Sequence, residues 1–258
     1  MLGTVVSLTA MFAAYEYLSF KEHYSRDLKH LGVLLAGLLP LVAVIKPTYQ
    51  EFAGPAFAIV LFASIVSLIL VMKLQWPQGF PIESAAVTVM CVLYTGGTLS
   101  FWIFLRAFPE EMFTSHNSLT GTFLLVFPIW ITWAGDSVAY VVGSLWGRKK
   151  LLVEVSPNKT VLGAFGGILG SVIAGIVYNH YLLHELTEVY LSTEMVVVTS
   201  GLLALIGQLG DLSESVMKRQ AKVKDSSSLI PGHGGVLDRM DGLFFTVPVT
   251  YFIFLFYL

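Results

Sequence analysis

Residues 52–72 are FAGPAFAIVLFASIVSLILVM, a run of 21 amino acids without a charged side chain. About 20 apolar residues in an α-helix cross the hydrocarbon core of a bilayer, which is about 30 Å thick. The whole chain shares this character, because 55% of its 258 residues are hydrophobic, 12% are charged and the mean hydropathy is +0.75. Soluble domains carry about 25% charged residues, so the composition predicts a membrane protein.

Seven other apolar stretches also suit spanning helices, although the second is short. Together the predicted spans cover residues 2–20, 31–45, 52–72, 84–107, 119–146, 161–183, 194–212 and 242–258. The first lacks a basic n-region, so we interpret it as a retained helix rather than a signal peptide. The predicted fold class is all-α, a polytopic transmembrane helix bundle of about eight spanning helices.

The positively charged residues are concentrated in alternate loops. If the helices alternate in direction, one side of the membrane receives the loops at residues 21–30, 73–83, 147–160 and 213–241, which hold 13 of the 15 Lys and Arg residues. Cytoplasmic loops carry an excess of these residues. We therefore expect these four loops to face the cytoplasm.

Charge is densest between Asp211 and Asp241. If a helix continues past Asp211, then Ser215, Lys218 and Lys222 follow on the same face at i+4, i+7 and i+11. An acid, a hydroxyl and cations along one helix face are suited to bind a metal ion and a phosphate group together. The alternative stays open that the loop is basic for topological reasons alone.

Two carboxylates close this segment. Asp238 and Asp241 are three residues apart on a helix that we expect to begin near Asp238, so they share a face. Paired carboxylates suit Mg²⁺, with Asp211 as the third predicted ligand. A solvated ion pair with Arg239 is the alternative. Just before them, Pro231 to Gly235 must be non-helical, and its backbone N–H groups suit an anion.

Asp136 lies inside the fifth predicted span, where an acid is costly and by default functional. Tyr140, Gly143 and Gly147 follow at helical spacing, on a face that allows close packing. The alternative is a buried Asp136 satisfied by a neighbouring hydroxyl or cation. Glu16 is another acid in an apolar run, and we expect it only to reach water near the cytoplasmic end of the first helix.

The run from Ser156 to Thr160 is predicted to start a helix, with Ser156 as its N-cap and Pro157 in its first turn. Lys159 and Thr160 would then offer a cation and a hydroxyl to an anion at the helix N-terminus. A plain capping role is equally open.

The residues from Ser215 to Asp241 also follow a dense pattern: Ser-x-hydrophobic-Lys-Arg, four residues, Lys-Asp, a short variable stretch, then Pro-x-His-Gly-Gly-hydrophobic-x-Asp-Arg-hydrophobic-Asp. The matching positions are Ser215, Met217, Lys218, Arg219, Lys224, Asp225, Ser227, Ile230, Pro231, His233, Gly234, Gly235, Val236, Asp238, Arg239, Met240 and Asp241. This pattern resembles the signature of the phosphatidate cytidylyltransferases, also called CDP-diacylglycerol synthases. With the elements at Asp136 and Ser156, the similarity covers about residues 130–250.

The resemblance implies transfer of a cytidylyl group from CTP to phosphatidic acid, giving CDP-diacylglycerol and pyrophosphate, with Mg²⁺ and possibly a second cation as cofactors. The implied metal ligands are Asp211, Asp238 and Asp241. The implied catalytic residues are Lys218, Arg219, Lys224, His233 and Arg239, with His233 as a phosphate contact rather than a base. The implied substrate-binding residues are Ser215, Asp136, Lys159, Thr160, Asp225, Gly234 and Gly235.

The chain also departs from this family. Its members usually carry one more N-terminal helix, and Leu162 stands where they often have Glu, so no acidic role is expected at that position. We expect residues 1–118 to form a scaffold and residues 119–258, with cytoplasmic loops 147–160 and 213–241, to form the catalytic region.

The expected partners are CTP, phosphatidic acid and the lipid bilayer, without nucleic acid, and a homodimer is left open. The expected location is the inner membrane of a bacterium, with the active site facing the cytoplasm. One alternative is a CTP-dependent kinase of polyprenol or phytol, which would release CDP. Another is a secondary transporter that uses Asp136 and Glu16 as ion-coupling acids.

Overall fold

The computed structural model describes residues 1–21, 24–75, 81–112, 117–187, 189–229, 232 and 234–257. Its helices are α1 (Leu2–Ser19), α2 (Arg26–Ile45), α3 (Tyr49–Gln75), α4 (Pro81–Cys91), α5 (Thr98–Met112), α6 (Thr120–Trp146), α7 (Val161–Tyr178), α8 (Glu185–Thr187), α9 (Thr193–Gln220), α10 (Val236–Met240) and α11 (Leu243–Tyr257). Two π-helical segments make α4 continuous with α5 and α7 continuous with α8, at Val92–Gly97 and Asn179–His184.

The prediction of an all-α polytopic bundle is confirmed. Within the described ranges, seven helical segments are long and apolar enough to cross a membrane: Arg26–Ile45, Tyr49–Lys73, Ile82–Glu110, Thr120–Trp146, Val161–Thr187, Thr193–Gln220 and Val236–Tyr257. The eighth long helix is α1, which is 18 residues long and carries Glu16. The composition therefore led to the right architecture.

Several helices extend beyond their predicted ends, α2 and α9 among them. α2 begins at Arg26 rather than at residue 31, and Asp27 in its first turn suits the positive end of the helix dipole. α9 continues to Gln220, eight residues past the predicted span, and carries Asp211 on a helix as expected. Lys222 lies beyond this end with φ 57°, a left-handed conformation that stops helices, so its predicted place on the same face of α9 is wrong.

A β-hairpin occupies most of the predicted loop 147–160. β1 (Lys150–Leu152) pairs antiparallel with β2 (Ser156–Thr160), with Lys150 opposite Thr160 and Leu152 opposite Ser156. The prediction that Ser156 caps a helix is therefore wrong. Pro157 fits because both strands of a two-stranded ribbon are edges, where a missing N–H is tolerated.

The chain divides into two compact units. Unit 1 comprises Met1–Phe104 and Gln220–Met240, and unit 2 comprises Leu105–Arg219 and Asp241–Leu258. In unit 1, α1 packs against α2 and α10. The buried face of α1 includes several small residues, among them Ala10, Ala13 and Ala14.

In unit 2, α6 and α7 lie in close contact through glycines. Gly166 faces Val142, and Gly170 faces Val138, so near that an added Cβ would lie within 3.0 Å of the valine carbons. Small residues let helices approach in lipid without a hydrophobic driving force. This contact fixes α6 beside the hairpin that leads into α7.

Candidate active site

The residues predicted for the site fall into both units. Unit 2 contains Asp136, Lys159, Thr160, Asp211, Ser215, Lys218, Arg219 and Asp241. Unit 1 contains Lys224, Asp225, Gly234, Gly235, Asp238 and Arg239. His233 lies outside the described residues, as do the neighbouring positions Ile230 and Pro231.

Asp211 is the centre of the polar cluster in unit 2. Lys159, at the penultimate position of β2, forms an ion pair with its Oδ2. Ser215, one turn later on α9, donates a hydrogen bond from Oγ to Oδ1 over 3.4 Å. The side chains of Lys159 and Asp211 are 26% and 33% exposed, although the Nζ atom of Lys159 is itself buried.

Two further carboxylates lie within electrostatic reach of Asp211. Asp241 is repelled by Asp211 and by Asp136, and is attracted by Lys218. Asp136 is likewise repelled by Asp211 and is attracted by Lys159. β2, α6, α9 and the turn before α11 thus bring three acids and two lysines together. Such a concentration of negative charge calls for a cation.

Asp241 does not lie on α10 as predicted. That helix begins at Val236, before Asp238, and ends at Met240, which places Asp241 in the turn that precedes α11. Its Oδ1 accepts a hydrogen bond from the Gly242 N–H over 2.6 Å. The predicted shared helix face with Asp238 is therefore wrong, because the helix ends between the two residues.

The donor set in unit 2 fits magnesium. Across the described residues, no three His, Cys, Asp or Glu side chains converge to hold a metal ion by themselves. Mg²⁺ usually takes only one or two protein carboxylates and completes its shell with water and substrate phosphate. Asp211 and Asp241 meet that requirement, with Asp136 beside a small cavity that Gln208 and Thr132 also line.

Two cations on α9 have partners that the sequence did not reveal. Lys218 is 13% exposed and lies 3.2 Å from Oε1 of Glu214, a fully buried acid one turn earlier. Arg219 donates from Nε to the Val155 carbonyl over 3.3 Å. With the Lys159 ion pair, this bond attaches the hairpin to α9 at two points.

Thr160 is the N-cap of α7. Its Oγ1 accepts a hydrogen bond from the Gly163 N–H over 3.1 Å, and the side chain is buried. Gly143 and Gly147 lie so close to this hydroxyl that neither could carry a Cβ without a shift. Sequence reasoning had placed the cap at Ser156 instead, and substrate binding by Thr160 stays a prediction.

In unit 1, Asp238 holds the segment before α10. Its Oδ2 accepts three hydrogen bonds: from Ser226 N over 2.8 Å, from Ser226 Oγ over 2.7 Å and from Gly235 N over 2.8 Å. Gly234 has φ 81°, and a Cβ there would lie 2.6 Å from the Asp238 carboxylate. Lys224, Asp225 and Arg239 are exposed.

Glu16 is the functional candidate that sequence reasoning missed. Only 3% exposed, it accepts hydrogen bonds from Ser226, Ser227, Val236 and Leu237. The expectation that it merely reaches water is wrong. The available signal was the cost of an acid in an apolar run, but its partners are at least 210 residues away in sequence.

Comparison with known proteins shows to which family the chain is related. The model of the cytidylyltransferase family matches residues 1–257. The chain belongs to this family. The cytidylyltransferase match extends through α1 to α5, well beyond the region of residues 130–250 that the signature covers.

Several members of the cytidylyltransferase family are similar over most of their length. A protein named phosphatidate cytidylyltransferase from Synechocystis is 31% identical, over 95% of this chain and 87% of its own. Its namesake from Staphylococcus epidermidis is 30% identical, over 96% and 88%. The namesake from Bacillus subtilis is 34% identical, over 85% and 77%.

Proposed function

We propose that this chain is a phosphatidate cytidylyltransferase, which converts CTP and phosphatidic acid into CDP-diacylglycerol and pyrophosphate. Family membership and the relatives of that name support the proposal. The observation in the structure that carries it is the cluster around Asp211, where three carboxylates and two lysines meet in unit 2.

The chemistry explains why such a cluster is useful. An oxygen of the lipid phosphate attacks the α-phosphorus of CTP, a new P–O bond forms, and the bond to the bridging oxygen of the β-phosphate breaks. Pyrophosphate leaves with that electron pair. Because both reactants are anions, the protein must mainly position them and neutralise charge. The lipid phosphomonoester has a second pKa of about 6 and needs no general base.

Each charged residue of the cluster has a task in this reaction. Lys159 and Lys218 would contact phosphate oxygens, and Asp211 and Asp241 would hold Mg²⁺, with Asp136 nearby. The ion, when bound, supplies positive charge to the nucleotide phosphates. Asp238 remains a predicted ligand from the resemblance, although one of its oxygens already accepts three hydrogen bonds.

We further propose that the protein resides in a bacterial inner membrane with this cluster facing the cytoplasm. The distribution of Lys and Arg between loops supports that orientation, and CTP is supplied from the same side. A second cation and a homodimer stay predictions from the sequence alone.

The test uses two labels of CTP with purified protein, phosphatidic acid and Mg²⁺. We expect α-phosphate label to enter the chloroform-soluble fraction as CDP-diacylglycerol, with pyrophosphate released in equal amount. With polyprenol or phytol in place of phosphatidic acid, label from the γ-phosphate in lipid, together with CDP, would instead identify a lipid kinase. No lipid label from either position, beside an active cytidylyltransferase as control, would overturn the proposal.

A further inference from the structure

Glu16 joins the first helix to the segment that precedes α10. Its Oε1 accepts from Ser227 Oγ over 2.6 Å and from Val236 N over 3.1 Å. Its Oε2 accepts from Leu237 N over 2.7 Å and lies 3.0 Å from Ser226 Oγ, whose one proton is shared between Glu16 and Asp238. All of these groups belong to unit 1. One buried side chain thus contacts both ends of this segment.

These hydrogen bonds account for the burial of the carboxylate. An ionised carboxylate that leaves water without partners is strongly destabilised, whereas hydrogen bonds to a charged group are about twice as strong as neutral ones. The N–H groups of Val236 and Leu237 lie in the first turn of α10, where they have no partner within the helix. Glu16 supplies the missing acceptor from another helix.

Gly235 shows how closely the segment is fitted to Glu16. A Cβ at this position would overlap Ser226 Oγ and both carboxylate oxygens of Glu16. The second glycine of the signature is therefore explained by a packing constraint from α1. Its neighbour Gly234 is constrained in the same way by Asp238.

We propose that Glu16 is a positioning residue for cytidylyl transfer, and this inference rests on the function proposed above. Together with Asp238, it fixes Ser226, Ser227 and the first turn of α10. The flanking positions carry Lys224 and Arg239, which the resemblance assigns to phosphate oxygens. Loss of the Glu16 contacts should leave those cations on a segment of variable position, without removing them.

The decisive variant is Glu16→Gln, which keeps the shape but turns an NH₂ group toward N–H and O–H donors. Glu83→Gln is the matched control, because Glu83 belongs to the same unit and its partner is Lys21, 3.0 Å away. We expect turnover per folded protein to fall about tenfold in Glu16→Gln and to stay within about twofold of wild type in Glu83→Gln. The folded fraction is measured by size-exclusion chromatography in detergent.

Hydrogen–deuterium exchange gives a readout that does not depend on activity. In Glu16→Gln, the amides of residues 235–237 should exchange at least about tenfold faster, while those of α6 and α7 keep their rates. If the wild-type protein made no CDP-diacylglycerol, the proposed function would fail and the exchange result would still test the contacts. Normal exchange at residues 235–237, or fast exchange with unchanged turnover, would overturn the positioning role.

Ser227→Ala is the second variant, which tests the proposal if Glu16→Gln does not fold. It removes the 2.6 Å hydrogen bond and leaves the acid and its other partners in place. We expect turnover to fall about threefold. When both variants fold, the effects of Glu16→Gln and Ser227→Ala should not add, because both substitutions remove the same contact. Wild-type turnover in both Ser227→Ala and Ser226→Ala would contradict the proposal.

Discussion

Lys159, near the end of the hairpin, forms an ion pair with Asp211 in the last third of α9. The two residues are 52 positions apart in sequence, and their side chains are partly exposed. A lysine that neutralises an acid in the free enzyme becomes available to a phosphate when a metal ion takes over the acid. In the proposed function, the pair would place a cation and a metal ligand where both can meet the same nucleotide.

The first prediction concerns Asp211. Asp211→Asn should lower kcat/KM for CTP at least about 100-fold, because it removes the charge that draws the cation to the cluster. The measurement is formation of labelled CDP-diacylglycerol by the detergent-solubilised protein. Glu154→Gln, an exposed acid on the same hairpin as Lys159, serves as control and should keep wild-type rates. Comparable activity in the two variants would contradict the role of Asp211.

The second prediction concerns the metal. Removal of divalent cations with EDTA should abolish transfer, and Mg²⁺ should restore it. Asp241→Asn should raise the Mg²⁺ concentration for half-maximal activity at least about tenfold, because one of the carboxylates proposed to hold the ion is lost. Titration of activity against free Mg²⁺ at saturating CTP measures this. An unchanged Mg²⁺ dependence would remove Asp241 from the metal site.

The third prediction compares two glycines with positive φ in the same segment. Gly232 (φ 74°) has open space around it, whereas a Cβ at Gly234 (φ 81°) would meet the Asp238 carboxylate. Both Ala variants share a conformational cost of roughly 1–2 kcal/mol. Only Gly234→Ala also displaces Asp238, so it should lose about ten times more activity than Gly232→Ala. Equal losses of activity in the two variants would show that the positive φ, and not the contact with Asp238, accounts for the effect.

The fourth prediction concerns the contact between α6 and α7. Gly166→Ala should destabilise the protein by about 1–3 kcal/mol, since the new methyl group overlaps Val142. Gly201→Ala on α9 is the control, because a Cβ added there would lie at an ordinary 3.9 Å from a Val172 methyl carbon. That change should be neutral or stabilise by up to about 1 kcal/mol. Thermal unfolding in detergent, followed by fluorescence, compares the two.

The sequence predicted what depends on local spacing. Asp211 and Ser215 share a face of α9 because a helix repeats every 3.6 residues, and that periodicity is visible without a structure. The apolar runs likewise predicted the spans. Helix ends were less certain, because polar residues at a membrane boundary, such as those after Asp211, continue a helix as readily as they end it.

Contacts between distant residues were beyond sequence reasoning. Nothing in the run around Glu16 indicates that it accepts from Leu237, and nothing in Lys159 indicates Asp211 as its partner. The hairpin was also missed, since Ser156 and Pro157 have a stronger association with helix starts than with strands. In each case the tertiary partner decided the local structure.

The long sequence separation between Glu16 and its partners also determines when these contacts can form during synthesis. Ser226 is 210 residues downstream, so at about 5–20 residues per second the ribosome needs roughly 10–40 s to reach it. During that interval the groups that donate hydrogen bonds to Glu16 have not yet been synthesised, so its carboxylate must stay hydrated. This part of the architecture can form only after residues 226–237 have been synthesised.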